Sequence, residues 1–302
     1  MDDFKSKIIL ISGPTASGKS NFAVKLAKII NGEIINADSM QIYKEFKILT
    51  ARPQKKDYKG IPHYLYGFHS VKKNFSTGDW LKKVYKIINK IRKNKKIPII
   101  VGGTGLYFKS LTEGLVEIPK IKPSLRNKIR NLHKKIGQKE FYKNLIRLDP
   151  LVKGKISPQD IQRSIRSYEV KLLTKKSIYK WYKDTKSLFN YTDFTKIYID
   201  FPKDKLINRI NERTEKMIKK GAVKEVKGFL RLNIREDNSS YKIIGISEIK
   251  RFLENKQNIS DTKELISIKT RQYAKRQRTW ARGQMSDWIK VHPGNLKKFL
   301  KK

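Results

Sequence analysis

The sequence contains no cysteine, which excludes disulfides and thiolate zinc sites, and its four histidines (His63, His69, His133, His292) are too scattered to form a metal cluster. No apolar run approaches the roughly 18 residues of a membrane span. The opening Met1-Asp2-Asp3-Phe4-Lys5 lacks the charged-then-apolar pattern of a secretory signal. A soluble cytoplasmic protein is therefore expected, with any metal arriving alongside a phosphate ligand. Acids are also scarce: 27 Asp+Glu face 70 Lys+Arg, a formal net charge of +43 that points towards a polyanionic partner such as nucleic acid. An AT-biased genome would enrich Lys, Ile and Asn as well, so much of the lysine excess is solvated surface. Arginine is the better witness, because such a bias does not favour it. It gathers at Arg126/Arg130, Arg163/Arg166 and Arg271/Arg276/Arg278/Arg282.

What is present is enough for a large core, in one domain or two, since 38% of the 302 residues are hydrophobic. Near the start, Gly13-Pro14-Thr15-Ala16-Ser17-Gly18-Lys19-Ser20 has the spacing G-x-x-x-x-G-K-[ST] between an apolar run (Ile8 to Ile11) and a helix-like run (Phe22 to Ile30). In such a loop the glycines let backbone N–H groups turn inward, the helix start adds positive potential, Lys19 supplies a charge and the Ser20 hydroxyl can hold Mg²⁺. The loop grips a di- or triphosphate. A kinase, an NTPase and a transferase that expels diphosphate could all use it.

Glu33 to Ala37 reads as a second strand, followed by Asp38-Ser39-Met40-Gln41, and Pro62 to Tyr66 as a weaker one. In an open parallel sheet the carboxyl ends of the strands line the ligand crevice, which brings Asp38 and Gln41 towards the phosphate loop. Apolar spacing predicts a helix over Thr77 to Arg92. Ile97 to Val101 then runs into Gly102-Gly103-Thr104-Gly105, a second strand, glycine turn and helix, with Thr104 at the helix start. From about Thr112 to Asp193 charged, helix-periodic segments replace core strands, so a helical insertion is expected over 112–193, between core segments 1–111 and 194–302. Within it Pro123 begins one helix; Ser157-Pro158-Gln159-Asp160 begins another, with serine as the cap. Thr195 to Ile199 restores an inner strand, helices follow over Lys203 to Lys220 and Val223 to Leu230, and Trp288 to Val291 reads as a last strand. Arg271, Lys275, Arg278 and Arg282 recur at i, i+4, i+7 and i+11, placing four cations on one helical stripe beside a face bearing Tyr273, Gln277 and Trp280. No acid lies between Glu264 and Asp287, so this is a candidate RNA contact rather than a solvated helix laced with ion pairs.

Five motifs in order, Gly13 to Ser20, Ala37 to Tyr43, Val101 to Phe108, Pro158 to Arg163 and Arg271 to Arg282, make the chain resemble the bacterial tRNA dimethylallyltransferase (tRNA isopentenyltransferase) family over most of its length. The resemblance implies an α/β fold, a P-loop NTPase-like parallel sheet flanked by helices, with the helical insertion binding tRNA. It implies transfer of a dimethylallyl group from its diphosphate to N6 of the adenosine 3′-adjacent to the anticodon, Mg²⁺, and a channel entered by diphosphate at one end and a flipped base at the other. Carried onto this chain, the diphosphate grip falls on Gly13 to Ser20, with Lys19 catalytic and Ser20 holding Mg²⁺ through the phosphates. Asp38 orients the amine and accepts its proton, with Thr104 beside it. Contacts to the anticodon stem-loop fall on Asp38, Ser39, Met40, Gln41, Thr104, Arg126, Gln162, Arg163, Ser164, Ile165, Arg166, Lys242, Gly245, Lys275, Arg276, Gln277, Arg278, Trp280 and Arg282. A monomer is expected. The chain departs from the family in Ser20, where many relatives have threonine, and in Ile246-Ser247, where a basic residue is frequent.

Three other readings share parts of this pattern. A P-loop kinase for a small metabolite accounts for the loop and sheet but not for the arginine clusters. A non-catalytic RNA-binding ATPase leaves Asp38 and Thr104 without a role. A relative acting on free adenine nucleotides would need neither the helical insertion nor the basic C-terminal helix.

Overall fold

Five- and six-residue apolar runs, too short for core helices and buried on both faces, form the inner strands of a parallel sheet. The computed structural model describes residues 7–296 and Phe299, grouped into two compact units: Glu113–Leu188, and the chain up to Thr112 with that from Phe189 onward. In chain order the larger unit begins with β1 (Ile8–Ser12), α1 (Lys19–Ile30), β2 (Gly32–Asn36), α2 (Lys55–Tyr58), β3 (His63–Tyr64), α3 (Thr77–Lys93), β4 (Ile97–Gly102) and α4 (Gly105–Thr112). The smaller unit holds α5 (Pro123–Leu148), interrupted at Gly137, then α6 (Ile161–Thr174) and α7 (Ile178–Lys183). The larger unit resumes with β5 (Phe194–Ile199), α8 (Lys203–Lys219), α9 (Ala222–Leu230), α10 (Ile246–Leu253), α11 (Ile259–Gln284) and β6 (Ile289–Val291).

The six strands are all parallel in the order β3-β2-β4-β1-β5-β6. This is the expected P-loop NTPase-like sheet flanked by helices. Register matters for function: Ser12 pairs with Gly102 and Asn36 with Val101, so β1, β2 and β4 end at one level and release their following turns side by side. One face of the sheet packs Ile9, Ile11, Ile34, Ile99 and Ile197 against Phe22, Ala23, Leu26 and Ile30 of α1. A second apolar cluster joins Ile42, Phe46 and Leu49 to Met217, Val226, Phe229, Ile249 and Ile266, seating α8 to α11 behind the loop that follows β2. Ser76 starts α3 through a capping box with Asp79 (3.1 and 3.0 Å), and the helix buries Trp80, Val84, Ile88 and Ile91.

Two boundaries differ from the sequence expectation. The helical unit ends at Leu188 rather than at 193, because the Phe189 ring lies 5.3 Å from Tyr85 and 5.9 Å from Phe194, which ties this segment to α3 and β5. The second insertion helix starts at Ile161, with Asp160 rather than Ser157 as its cap. Ser157 to Asp160 closes as a turn (Asp160 N–H to Ser157 O, 2.9 Å), which leaves the Asp160 carboxylate to accept from Arg163 N–H at 3.0 Å.

Candidate active site

After β1 the chain wraps into the phosphate loop. Ala16 and Gly18 take positive φ (64° and 88°), and Ser17 N–H bonds to Pro14 O at 3.2 Å. Lys19 opens α1 and folds back so that its ammonium donates to Pro14 O at 3.2 Å. Desolvation draws the pKa of this half-buried lysine from 10.5 down to about 8; Asp38 pushes it up again, and Arg213 lowers it. Arg213, on α8, donates to Thr15 Oγ1 at 3.1 Å and to Thr50 O at 3.4 Å. It is a second cation in the loop's cavity, and burial lowers its pKa against the pull of Asp38. The cavity has a volume of about 550 Å³, and its walls include Thr15, Ala16, Gly18, Lys19, Ser20, Arg52, Arg209 and Arg213. Gly13, Pro14 and Ser17 are buried and lie outside its walls.

Ser20 is exposed on the first turn of α1 and lines the same cavity. Among the described residues no group of three or more His, Asp or Glu could hold a metal ion. A single hydroxyl beside phosphate oxygens suits Mg²⁺, which takes few protein ligands and fills its shell from phosphate and water.

The turn after β2 is fixed from three sides. Asn36 accepts from Asp38 N–H (2.9 Å) and donates to Asp38 O (2.9 Å) and Leu65 O (3.0 Å), while the buried indole of Trp80 donates to Asn36 O at 2.9 Å. Thr104 Oγ1 accepts from Ser39 N–H at 3.0 Å, so Thr104 braces the Asp38 turn through Ser39. Asp38 Oδ1 accepts from Met40 N–H at 2.9 Å, its one hydrogen bond to a side-chain oxygen among the described residues, which leaves Oδ2 for a ligand. Gln41 lines the phosphate-loop cavity beside Asp38 and donates to Thr50 O at 3.0 Å. Tyr66, Tyr107 and Tyr273 all have their pKa values raised, first by burial and then in part by the Asp38 charge, so their phenols stay protonated. The Asp38 carboxyl group thus stands among hydroxyls that keep their protons.

The glycines after β4 do a different job from those of the phosphate loop. A Cβ on Gly102 would lie 2.0 Å from Ala37 O, one on Gly103 2.1 Å from Gln277 Nε2, and one on Gly105 2.1 Å from Trp280 Nε1. The turn is a seat for the β2 backbone and for α11. Gln277 Oε1 accepts from Thr15 N–H at 2.8 Å while its Nε2 donates to Gly103 O at 2.9 Å. A second cavity of about 470 Å³ opens here, walled by Asp38, Ser39, Met40, Thr104, Lys242, Tyr273, Arg276, Gln277 and Trp280, with Leu49, Ile243 and Ile266 as apolar floor. Both cavities include Thr15, Asp38, Arg213 and Met217 in their walls, so they meet at Asp38.

The remaining candidates divide by place. Arg271, Lys275, Arg278 and Arg282 share a third cavity with α8, separate from the face carrying Tyr273, Arg276, Gln277 and Trp280. Gly245 is structural: its φ is 107°, its N–H is held by Glu248 Oε2 (2.8 Å), and a Cβ would strike Leu49 at 2.5 Å. In the helical unit Arg126 Nε and Arg166 Nη1 approach the buried Glu169 at 3.7 and 3.6 Å; burial raises the pKa of that carboxyl, and Arg126, Arg166 and Arg130 oppose the rise. Gln162 and Arg163 are exposed and Ile165 half-buried, whereas Ser164 is fully buried and accepts from Gln138 Nε2 at 3.2 Å. Ser164 therefore faces inward, unlike its neighbours. Sequence reasoning missed Arg213. The available signal was Arg209 and Arg213 one turn apart on a predicted helix, in a chain where arginine is informative.

The profile of the IPP transferase family matches residues 41–284. The chain is 58% identical over 300 residues to the tRNA dimethylallyltransferase of Pelagibacter ubique, covering 99% of this chain and 96% of that one. It is 41% identical to the corresponding enzyme of Rickettsia bellii, covering 98% and 94%. Among solved structures it matches a Staphylococcus epidermidis tRNA isopentenylpyrophosphate transferase (TM-score 0.68, 32% identity, 97% and 96% covered). It also matches a eukaryotic dimethylallyltransferase caught acting on tRNA (TM-score 0.82, 27% identity, 95% of this chain and 74% of that one).

Proposed function

The chain belongs to the IPP transferase family, and from that premise we propose that it moves a dimethylallyl group from dimethylallyl diphosphate to N6 of the adenosine 3′-adjacent to a tRNA anticodon, releasing diphosphate. The observation that carries this reading is the meeting of two unlike cavities at Asp38. One is walled by the phosphate loop and Arg213, the other by hydroxyls, aromatic rings and an apolar floor.

The adenine N6 amine is a poor nucleophile because its lone pair is delocalised into the ring. The allylic carbon must therefore be made strongly electrophilic. As its bond to the diphosphate oxygen breaks, the electron pair leaves with the diphosphate, whose growing charge meets Lys19, Arg213 and the loop N–H groups. Ser20 would hold Mg²⁺ through the phosphates, and that ion would add neutralising charge on the leaving group. The new N6–C1 bond makes the amine acidic, and Asp38 takes its proton. A carboxylate is a weak base in water, yet it suffices for an amine that acidifies as the bond forms. Thr104 holds the Asp38 turn through Ser39.

The acceptor base must leave its loop to reach Asp38, which costs a few kcal/mol and calls for contacts to the flanking backbone. Arg276, Lys242 and Trp280 at the acceptor cavity, the Lys275/Arg278/Arg282 stripe, and Arg126, Arg163 and Arg166 of the helical unit are the cations and ring that would supply them. The described residues include no helix long and apolar enough to cross a membrane. Incubation of the protein with unmodified tRNA and dimethylallyl diphosphate, followed by mass analysis of the digested nucleosides, should give one adenosine heavier by a dimethylallyl group. Unchanged nucleosides, or label passing from ATP to a small acceptor, would overturn the reading in favour of a kinase.

A further inference from the structure

The amide of Gln277 spans the two turns on which the reaction depends. Its Oε1 accepts from Thr15 N–H in the phosphate loop at 2.8 Å, and its Nε2 donates to Gly103 O in the turn after β4 at 2.9 Å. The polarity of that amide is fixed by its partners: one is an N–H that needs an acceptor, the other a carbonyl that needs a donor. A carboxylate of the same length could serve the first and would oppose the second, and an apolar side chain could serve neither. Gly103 lacks a Cβ where one would lie 2.1 Å from Nε2, so the turn is shaped to admit this side chain. From the other side Arg213 holds Thr15 Oγ1 at 3.1 Å.

We propose that Gln277 is a positioning residue that keeps the diphosphate loop in register with the turn bearing Thr104, and so sets where the allylic carbon stands relative to Asp38 and the incoming amine. This rests on the transferase reading. The bracket matters because an ionising allylic carbon that is out of line with N6 reacts with whatever nucleophile is near. Misplacement of about 1 Å can cost roughly 10²-fold in rate. In the productive path the C1–O bond to diphosphate breaks, the N6–C1 bond forms and the N6 proton passes to Asp38. In the failure path the same bond breaks, a water oxygen bonds to C1 and its proton goes to solvent, giving dimethylallyl alcohol and diphosphate. A loosened bracket shifts reaction from the first path to the second.

The test uses the full-length protein, tRNA and dimethylallyl diphosphate under single-turnover conditions, with prenylated tRNA and dimethylallyl alcohol quantified together. Gln277→Leu removes both hydrogen bonds, and Gln277→Asn keeps the same groups on a stem one methylene too short to span them. Each should slow transfer by roughly 10- to 100-fold and raise the alcohol-to-transfer ratio at least about tenfold at saturating tRNA, with the dissociation constant for inorganic diphosphate within about threefold of wild type. Wild-type transfer rates in the variants would overturn the proposal. So would slower transfer at an unchanged product ratio, or failure of both variants to fold, since Gln277 would then serve the fold alone. If one variant fails to fold, the other decides. Absence of prenylated tRNA with the wild-type protein would instead remove the transferase reading itself.

Discussion

Two strand, glycine and helix turns stand beside each other at the end of the sheet, one after β1 and one after β4, and they use their glycines for opposite purposes. In the phosphate loop Gly18 supplies a left-handed backbone (φ 88°), and the space it shapes opens into a cavity walled by Lys19 and Arg213. In the second turn Gly102, Gly103 and Gly105 remove side chains so that Ala37, Gln277 and Trp280 can come close. A glycine cluster after a parallel strand thus marks a close approach, and only the tertiary partners decide whether a ligand or the protein itself makes that approach. In the proposed reaction the first turn faces the donor. The second braces the Asp38 turn through Thr104 and Ser39 and, in the same proposal, borders the acceptor cavity.

The contrast can be broken at the donor turn first. Lys19→Ala removes the main fixed cation of the loop and should lower turnover by roughly 10²- to 10³-fold, with loss of diphosphate binding measured by calorimetry, while tRNA affinity stays near wild type. The second turn should fail differently. In Gly102→Ala the new methyl would meet Ala37 backbone 2.0 Å away, so the protein should lose about 3 kcal/mol of stability in denaturant titrations and activity together. Gly103→Ala meets the far end of the Gln277 side chain at 2.1 Å and the Gly13 carbonyl only at 3.4 Å, and should cost clearly less stability.

Titration separates the turns more gently. The ammonium of Lys19, with its pKa drawn down to about 8 by burial, is the form that would grip diphosphate. The sign follows: kcat/KM for dimethylallyl diphosphate should be level below that pH and fall about tenfold per unit above it, since this ratio reports the free enzyme. A bound diphosphate holds the proton on Lys19, so kcat itself should fall less. The smallest effect is expected outside both turns. Arg278→Ala should weaken tRNA binding several-fold and flatten its logarithmic salt dependence by about one unit, leaving diphosphate affinity unchanged. An unaltered salt slope would make the stripe of α11 a solvated face.

Much of this was legible in the sequence for a physical reason. The phosphate loop is local: its spacing, its strand and its helix are contiguous, so residues 13 to 20 declare their geometry without reference to the rest of the chain. Asp38 and Thr104 were placed at strand ends by the general behaviour of parallel sheets. The pairing of Arg213 and of Gln277 with Thr15 was not legible, because each acts from about 200 residues or more away in sequence (198 and 262 positions); the Arg209/Arg213 spacing marks a basic helix face but not what it faces. The inward face of Ser164 was hidden for a related reason, as its partner Gln138 lies on another helix of the insertion. The cap at Asp160 was misread because Ser157-Pro158 has the stronger local signature, while the turn that displaces it forms from backbone bonding.

The central claim is that Asp38 accepts the proton of the amine where the two cavities meet. Asp38→Asn tests it most directly, because asparagine retains an oxygen to accept from Met40 N–H and so preserves the turn, while an amide cannot take up the proton. The measurement is the single-turnover rate of prenyl transfer to tRNA, with tRNA affinity determined on the same protein. The account predicts a fall of roughly 10²-fold or more in the rate and a far smaller change in affinity. A near-normal single-turnover rate in Asp38→Asn would contradict it and reduce Asp38 to a residue that shapes its turn.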